Sequence, residues 1–163
     1  MNNKVKMLLN EQIARELESG YLYLDLAAKL EGMGLRGYAH WFQVQAEEEK
    51  DHAMKIYHYL LDEGEEVHLG SLDMPEHDTP EVRDILMEAL HHEEYVTELI
   101  NNIYDAASDE GDYRTLRFLD WFVDEQKEEE MNARENLDNY MLIARCSCGC
   151  GIMTLDKRME ERK

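Results

Sequence analysis

The sequence predicts an all-α protein: a four-helix bundle with one long crossover between its second and third helices and a short fifth helix at the C-terminus. Three observations predict it. Apolar residues recur at intervals of three and four along nearly the whole chain, which is the period of an amphipathic helix. The breaks in that rhythm coincide with clusters of Gly, Pro and Asp, residues that stop helices. The four segments bounded in this way are matched in length, about 27 residues or about 40 Å each, and helices of equal length pack naturally side by side.

Taken in order, the first helix is expected from about Lys4 to Glu31 and stops at Gly32-Met33-Gly34. The second runs from about Gly37 to Glu63 and stops at Gly64. Between Glu65 and Thr79 the chain carries Val67, Leu69, Leu72 and Met74 ahead of Pro75, a stretch long enough to run back along the bundle. The third helix starts after Pro80 and ends near Ser108, where Asp109-Glu110-Gly111-Asp112 breaks it, and the fourth runs from about Tyr113 to Arg145. A short last helix follows Gly151. Short links make antiparallel hairpins of helices one and two and of helices three and four, and the long link joins the hairpins. Residues 1–145 are thus expected to form the bundle, and residues 146–163 a Cys-containing turn and the last helix.

Composition agrees with this reading and excludes others. A chain of 163 residues fits one domain. With 44% apolar and 33% charged residues and only 2 prolines, it is neither disordered nor collagen-like. The net charge of −20 repels phosphate backbones and anionic membranes and attracts cations, so neither nucleic acid nor membrane is an expected partner. The N-terminal residues lack the apolar run of a signal peptide, and the chain is expected in the cytoplasm. Cys146, Cys148 and Cys150 are crowded into five positions, which does not make a disulfide framework and fits a reducing compartment.

The buried stripe of each helix is where chemistry shows. On helix one it reads Leu9, Ile13, Glu16, Gly20, Tyr23, Ala27, Leu30, and on helix two Phe42, Ala46, Glu49, His52, Ala53, Ile56, Leu60. On helix three it reads Leu86, Ala89, Glu93, Val96, Ile100, Ile103, Ala107. Helix four gives Leu119, Phe122, Gln126, Glu129, Ala133, Asn136, Tyr140, with Glu125 and Glu128 flanking. Each stripe is interrupted near its midpoint by an acid, and midpoints of antiparallel helices come to one level. Carboxylates gathered in a dry core must either protonate or bind metal. Oxygen ligands with a single imidazole suit Fe(II), Mn(II) or Zn(II). Glu49-Lys50-Asp51-His52 is the Glu-x-x-His pair that carboxylate-bridged di-iron bundles use. Helix four offers Glu125-Gln126-Lys127-Glu128-Glu129-Glu130 without a histidine, so two metal positions would be unequal.

Over nearly its whole length the chain resembles the non-haem bacterial and archaeal ferritins. The matching stretches are Asn10-Glu11-Gln12, Tyr21-Leu22-Tyr23-Leu24, Gly37-Tyr38-Ala39-His40-Trp41, Glu47-Glu48-Glu49-Lys50-Asp51-His52-Ala53 and His92-Glu93-Glu94. The most specific is Phe118-Leu119-Asp120-Trp121-Phe122-Val123-Asp124-Glu125-Gln126-Lys127-Glu128-Glu129-Glu130. The resemblance implies a ferritin-like bundle and a twenty-four-subunit hollow shell. Such a shell takes up Fe(II), oxidises it with O₂ or H₂O₂ at a di-iron ferroxidase centre in each subunit, and stores ferric mineral. It implies Glu16 and His52 as terminal ligands of the first iron, Glu49 as the bridge, and Glu93 and Glu129 on the second. Glu48, Glu125 and Glu128 match a third, weaker iron site, with Glu129 able to serve both. Gln126 matches a glutamine that hydrogen-bonds near the second iron, and Tyr23 a tyrosine that either supplies an electron or holds Glu93. Trp121 lies near enough for either task, although a large apolar residue on a bundle helix reads first as core packing.

Rubrerythrins and bacterioferritins, relatives of that family, carry the second Glu-x-x-His, and the chain lacks the two Cys-x-x-Cys pairs of a rubrerythrin tail. Met54 stands where a haem-ligating methionine would be sought, but methionine is ordinary core filling, and no haem is expected. The chain departs from the family at Arg145-Cys146-Ser147-Cys148-Gly149-Cys150-Gly151. The three thiols read either as a clasp for a soft metal or cluster or as a reduced cluster with no fixed role. Three functions stay open at this point: an iron-storing ferroxidase, a di-iron oxidase or peroxidase that keeps its metals, and a non-catalytic acidic bundle.

Overall fold

The computed structural model describes residues 1–74, 77–145 and 150–163. Among them are five helices and no strand: α1 (Asn3–Gly32), α2 (Arg36–Asp62), α3 (Val82–Asp109), α4 (Tyr113–Ala144) and α5 (Cys150–Met159). The first four agree with the sequence expectation to within a residue or two at each end, and α5 begins one residue before Gly151. No helix among the described residues is long and apolar enough to cross a membrane. Cys146 and Cys148 lie outside the described residues, and Cys150 is exposed at the start of α5.

The stops of α1, α2 and α3 have one cause. At the end of α1 the amide of Gly34 donates to Glu31 O (2.9 Å) and that of Leu35 to Leu30 O (3.0 Å), the paired closure that satisfies the last carbonyls when the intervening residue is left-handed. Gly34 supplies that conformation at φ 82°, and Gly64 and Gly111 do the same after α2 and α3 at φ 75° and 63°. The start of α4 is held by Asp112, whose side chain accepts from the Thr115 amide at 3.2 Å, a cap worth about 1 kcal/mol.

The crossover runs along α1 from end to end. The amide of His68 donates to Asn10 Oδ1 (2.6 Å), that of Asp73 to Glu18 Oε1 (2.9 Å), and Lys29 Nζ to Thr79 Oγ1 (2.9 Å). Residue numbers climb together on both sides, so this segment lies parallel to α1 and delivers α3 to the end of the bundle where α1 stops. Helix α3 is therefore antiparallel to α1.

α5 closes that same end. Asp156 Oδ1 accepts from the Tyr38 amide at 2.9 Å and so caps α2, which lacks a side-chain cap of its own. The contact requires glycine at position 37: a Cβ there would stand 1.6 Å from the Asp156 carbonyl oxygen.

The apolar interior is divided. One cluster, with Leu22, Leu26, Leu30, Phe42, Leu86 and Leu155, fills the α5 end. A second, with Leu9, Ile13, Ile56, Ile100, Leu119 and Phe122, fills the other. The level between them is where the four stripes carry their acids.

Candidate metal centre

Every predicted stripe residue of α1, α2 and α3 is buried, and on α4 all are buried except Tyr140, which is half-buried. Glu16, Glu49, Glu93 and Glu129 are at most 4% exposed and His52 is 5% exposed, one acid from each long helix with the imidazole beside them. Pleating four amphipathic stripes together has put five ligand-type side chains where each helix would otherwise carry a Leu or an Ala.

Their contacts are ordered. His52 Nδ1 lies 3.6 Å from Glu49 Oε2 and 4.0 Å from Glu16 Oε2, while its Nε2 faces Glu125 Oε1 at 3.9 Å. Gln12 Nε2 donates to Glu16 Oε1 at 2.8 Å, leaving Glu16 Oε2 buried without a hydrogen-bond partner. Gln45 Nε2 donates to Glu49 Oε1 and to Glu129 Oε2, both at 2.9 Å, and ties α2 to α4 across the cavity. The Tyr23 hydroxyl donates to Glu93 Oε1. On the other side of that carboxylate Gln126 Nε2 donates to Oε2 at 3.2 Å and to the Glu93 carbonyl at 3.3 Å.

Burial sets the protonation. It pushes Glu16 up to about 8, with Glu49 adding to it, and Glu49 up to about 8, with Glu129 adding to it. Glu93 and Glu129 are likewise raised to about 8 by burial and by Glu49 and Glu93 respectively. Tyr23 is held well above the usual phenol range by burial and then by Glu93, so its hydroxyl stays a donor. An orphaned buried carboxylate oxygen and four acids that cannot all ionise in a dry cavity are what a cation site presents when no cation compensates it.

Among the described residues, two ligand groups fall within reach of a single ion. One atom each from Glu16, Glu49 and His52 lie within 4.8 Å of one another, and so do atoms from His52, Glu125 and Glu129. His52 is common to both. Glu125 is half-buried at the rim. Glu48 is also half-buried and is turned to Arg162, with which it forms an ion pair. Glu128 is exposed and sits close enough to Glu48 to raise its proton affinity, alongside the larger effect of burial.

Trp121 is not a core residue. It is 38% exposed, stands edge-on to His52 with ring centroids 5.5 Å apart, and carries Lys55 Nζ 3.9 Å over its ring. At the margin of the α4 stripe the indole covers the imidazole from solvent while keeping one edge wet. His92, beside Glu93 in the sequence, is tucked against α1 with its Nε2 2.7 Å from Ser19 Oγ, and burial lowers it to about 4.

Three contributors escaped the sequence reading. Gln12 and Gln45 each stand four residues before a buried Glu, the spacing at which one helix residue reaches the next, and that repeated Gln-x-x-x-Glu is a usable signal. Arg162 has no local signal at all.

The family model described as a ferritin-like domain matches residues 6–143. The chain belongs to the ferritin family. This ferritin is 31% identical over 157 residues to a probable bacterial non-heme ferritin-like protein of Haemophilus influenzae, covering 96% of this chain and 94% of that one. It is 34% identical over 148 residues to a bacterial non-heme ferritin of Campylobacter jejuni, covering 88% and 86%. An open-pore ferritin from the hyperthermophilic archaeon Archaeoglobus fulgidus superposes with a TM-score of 0.95 at 32% identity, covering 100% of this chain and 98% of that one.

Proposed function

We propose that this ferritin oxidises Fe(II) inside each bundle and stores the ferric product within a hollow shell of identical subunits. The observation that carries the reading is the layer of four buried carboxylates and one imidazole set between two apolar cores, with Glu16 Oε2 left unpaired. Glu16 and His52 are assigned to one iron substrate, Glu93 and Glu129 to the other, and Glu49 to the bridge between them. Glu48, Glu125 and Glu128, with Glu129, are assigned to a third and weaker cation position.

The chemistry balances without a radical intermediate leaving the site. Two Fe(II) give one electron each to O₂, which with two protons becomes H₂O₂, or to H₂O₂, which with two protons becomes two waters. Hard carboxylate oxygens suit the Fe(III) product. The protein's part is to hold the ligands and handle protons: acids raised to about 8 surrender protons as cations enter. Tyr23 and Gln126 grip Glu93 from both sides and keep one ligand oriented. Trp121 and Phe122 pack edge-on to His52 and fix its ring.

A single imidazole makes the two positions unequal, which favours departure of Fe(III) over its retention. Mössbauer spectra showing a stable di-iron centre after turnover would oppose that. A multi-subunit shell is what the ferritin family implies, and exposed apolar side chains agree with it: Tyr21 and Leu24 of α1 and Leu69 and Leu72 of the crossover are all at least half exposed. Large exposed apolar side chains of this kind are available for subunit contact.

The deciding experiment adds Fe(II) in air to metal-free protein at rising ratios, following ferric absorbance and retained iron, beside Glu49→Ala. Fast oxidation abolished in the variant, with uptake far beyond what one bundle can ligate, is expected. Saturation at about two irons per subunit would instead indicate an oxidase that keeps its metals.

A further inference from the structure

Arg162 lies past the end of α5, yet its guanidinium reaches the rim of the metal centre. It donates to Glu48 Oε2, to Gln45 Oε1 at 2.8 Å and to the Trp41 carbonyl at 3.3 Å. The same group stacks 4.0 Å over the Trp41 ring, and the Arg162 carbonyl oxygen is 2.8 Å from His40 Nε2. The side chain is 17% exposed. This planar fork is pre-organised, stacked and desolvated, unlike the loose surface pairs common on helical proteins.

Its partners make the position informative. Glu48 is one of the acids assigned to the third cation position. Gln45 is buried, and its amide nitrogen holds Glu49 and Glu129. Arg162 thus satisfies the oxygen of the one amide whose nitrogen binds both a bridging and a terminal ligand. Removing the guanidinium from Glu48 leaves Gln45 Oε1 buried without its donor, and the change reaches Glu49 and Glu129 through one side chain.

We propose that Arg162 is a displaceable latch: its guanidinium is the resident cation of the Glu48 position, a third metal ion must exchange for it, and that exchange is relayed to Glu49 and Glu129 through Gln45. The inference rests on the assignment of a third cation position. The tail then does more than pin α5 to the bundle. It makes occupancy of the outer position cost a charge-assisted hydrogen bond, so the two inner positions fill first.

The test uses the assembled metal-free protein and Zn(II), which does not change oxidation state. Calorimetric titrations compare the native chain with Arg162→Ala and Arg162→Lys, each with and without Glu48→Gln. The third Zn(II) per subunit is expected to bind about tenfold more tightly in Arg162→Ala, the order of one charge-assisted hydrogen bond. Lys, lacking the fork, falls between, and the gain vanishes with Glu48→Gln. In a Trp121→Phe background, which keeps Arg162 and leaves Trp41 as the only indole, emission is expected to shift at the third equivalent and not at the first two. This arm stands even if Arg162→Ala fails to assemble.

Equal third-equivalent affinities in native and Arg162→Ala protein, or a Trp41 emission unchanged at that equivalent, would overturn the latch while the loss caused by Glu48→Gln upheld the third position. If Glu48→Gln costs no equivalent in the native background, the third position and the latch both fall.

Discussion

Filling the cavity with a divalent ion must expel the protons that the metal-free cavity holds, and the number follows from the ligand acids. A carboxyl with a pKa near 8 is about nine-tenths protonated at pH 7 and about one-tenth at pH 9. Glu16, Glu49, Glu93 and Glu129 are all raised to about 8, chiefly by burial. Full loading of the proposed two-metal site is therefore expected to release between about three and four protons per subunit at pH 7 and fewer than about one at pH 9. Zn(II) is the ion to use, because ferric hydrolysis releases protons of its own. Release is read by pH-stat or by calorimetry in buffers of different ionisation enthalpy, and Glu49→Gln should lower it by about one at pH 7. Ionisation of zinc-bound water would give the opposite trend, rising with pH. A release that is near zero at pH 7, or equal at pH 7 and 9, would show that the acids are already ionised and would refute a protonated metal-free site.

The same acids dictate a stability profile for metal-free protein. Because their folded pKa lies above the ordinary value of 4.5, their stabilising contribution is complete below about pH 4.5 and is lost as pH rises through about 8. The thermal midpoint in chelator should thus fall between pH 6 and 9, and less steeply in Glu49→Gln, as followed by circular dichroism. Tyr23→Phe removes the hydroxyl that donates to Glu93. A bond to a charged acceptor is worth about 1.5–3 kcal/mol, so Fe(II) oxidation in stopped flow should slow by more than tenfold while the variant elutes at the same size as the native protein. Gly37→Ala places a Cβ on the Asp156 carbonyl and forces α5 off the start of α2. The lost cap and the overpacking together should cost about 2–4 kcal/mol, seen as a lowered denaturant midpoint and early proteolysis near residue 150.

The helices and the ligand layer were legible because both rest on the same periodicity. Glu16, Glu49, Glu93 and Glu129 announce themselves by occupying stripe positions that burial then makes expensive for an acid. His52 follows from its distance of three residues from Glu49. Trp121 was misread because a stripe has edges: one position before Phe122, it is turned toward the flank, where an indole can cover His52 and still meet Lys55. Gln45 lies off the apolar stripe that singles out the acids, although its i,i+4 relation to Glu49 repeats that of Gln12 to Glu16.

What the chain places opposite His52 is a matter of tertiary geometry. A symmetric centre would carry a second imidazole three residues after Glu129, and position 132 is Asn. Asn132 lines a cavity of about 310 Å³ with Trp41, Asn136, Arg158 and Arg162. On the His52 side the layer packs against Ile13, Ala53 and Phe122 of an apolar cluster, with half-buried Glu125 and part-exposed Trp121 at its rim. On the Gln45 side it adjoins amides and a guanidinium that arrive from the far end of the chain. The acid layer thus meets solvent at two rims, the Glu125–Trp121 edge beside His52 and the edge where Arg162 holds Glu48 and Gln45, and at the second rim the contacts a cation must displace are hydrogen bonds that water can replace.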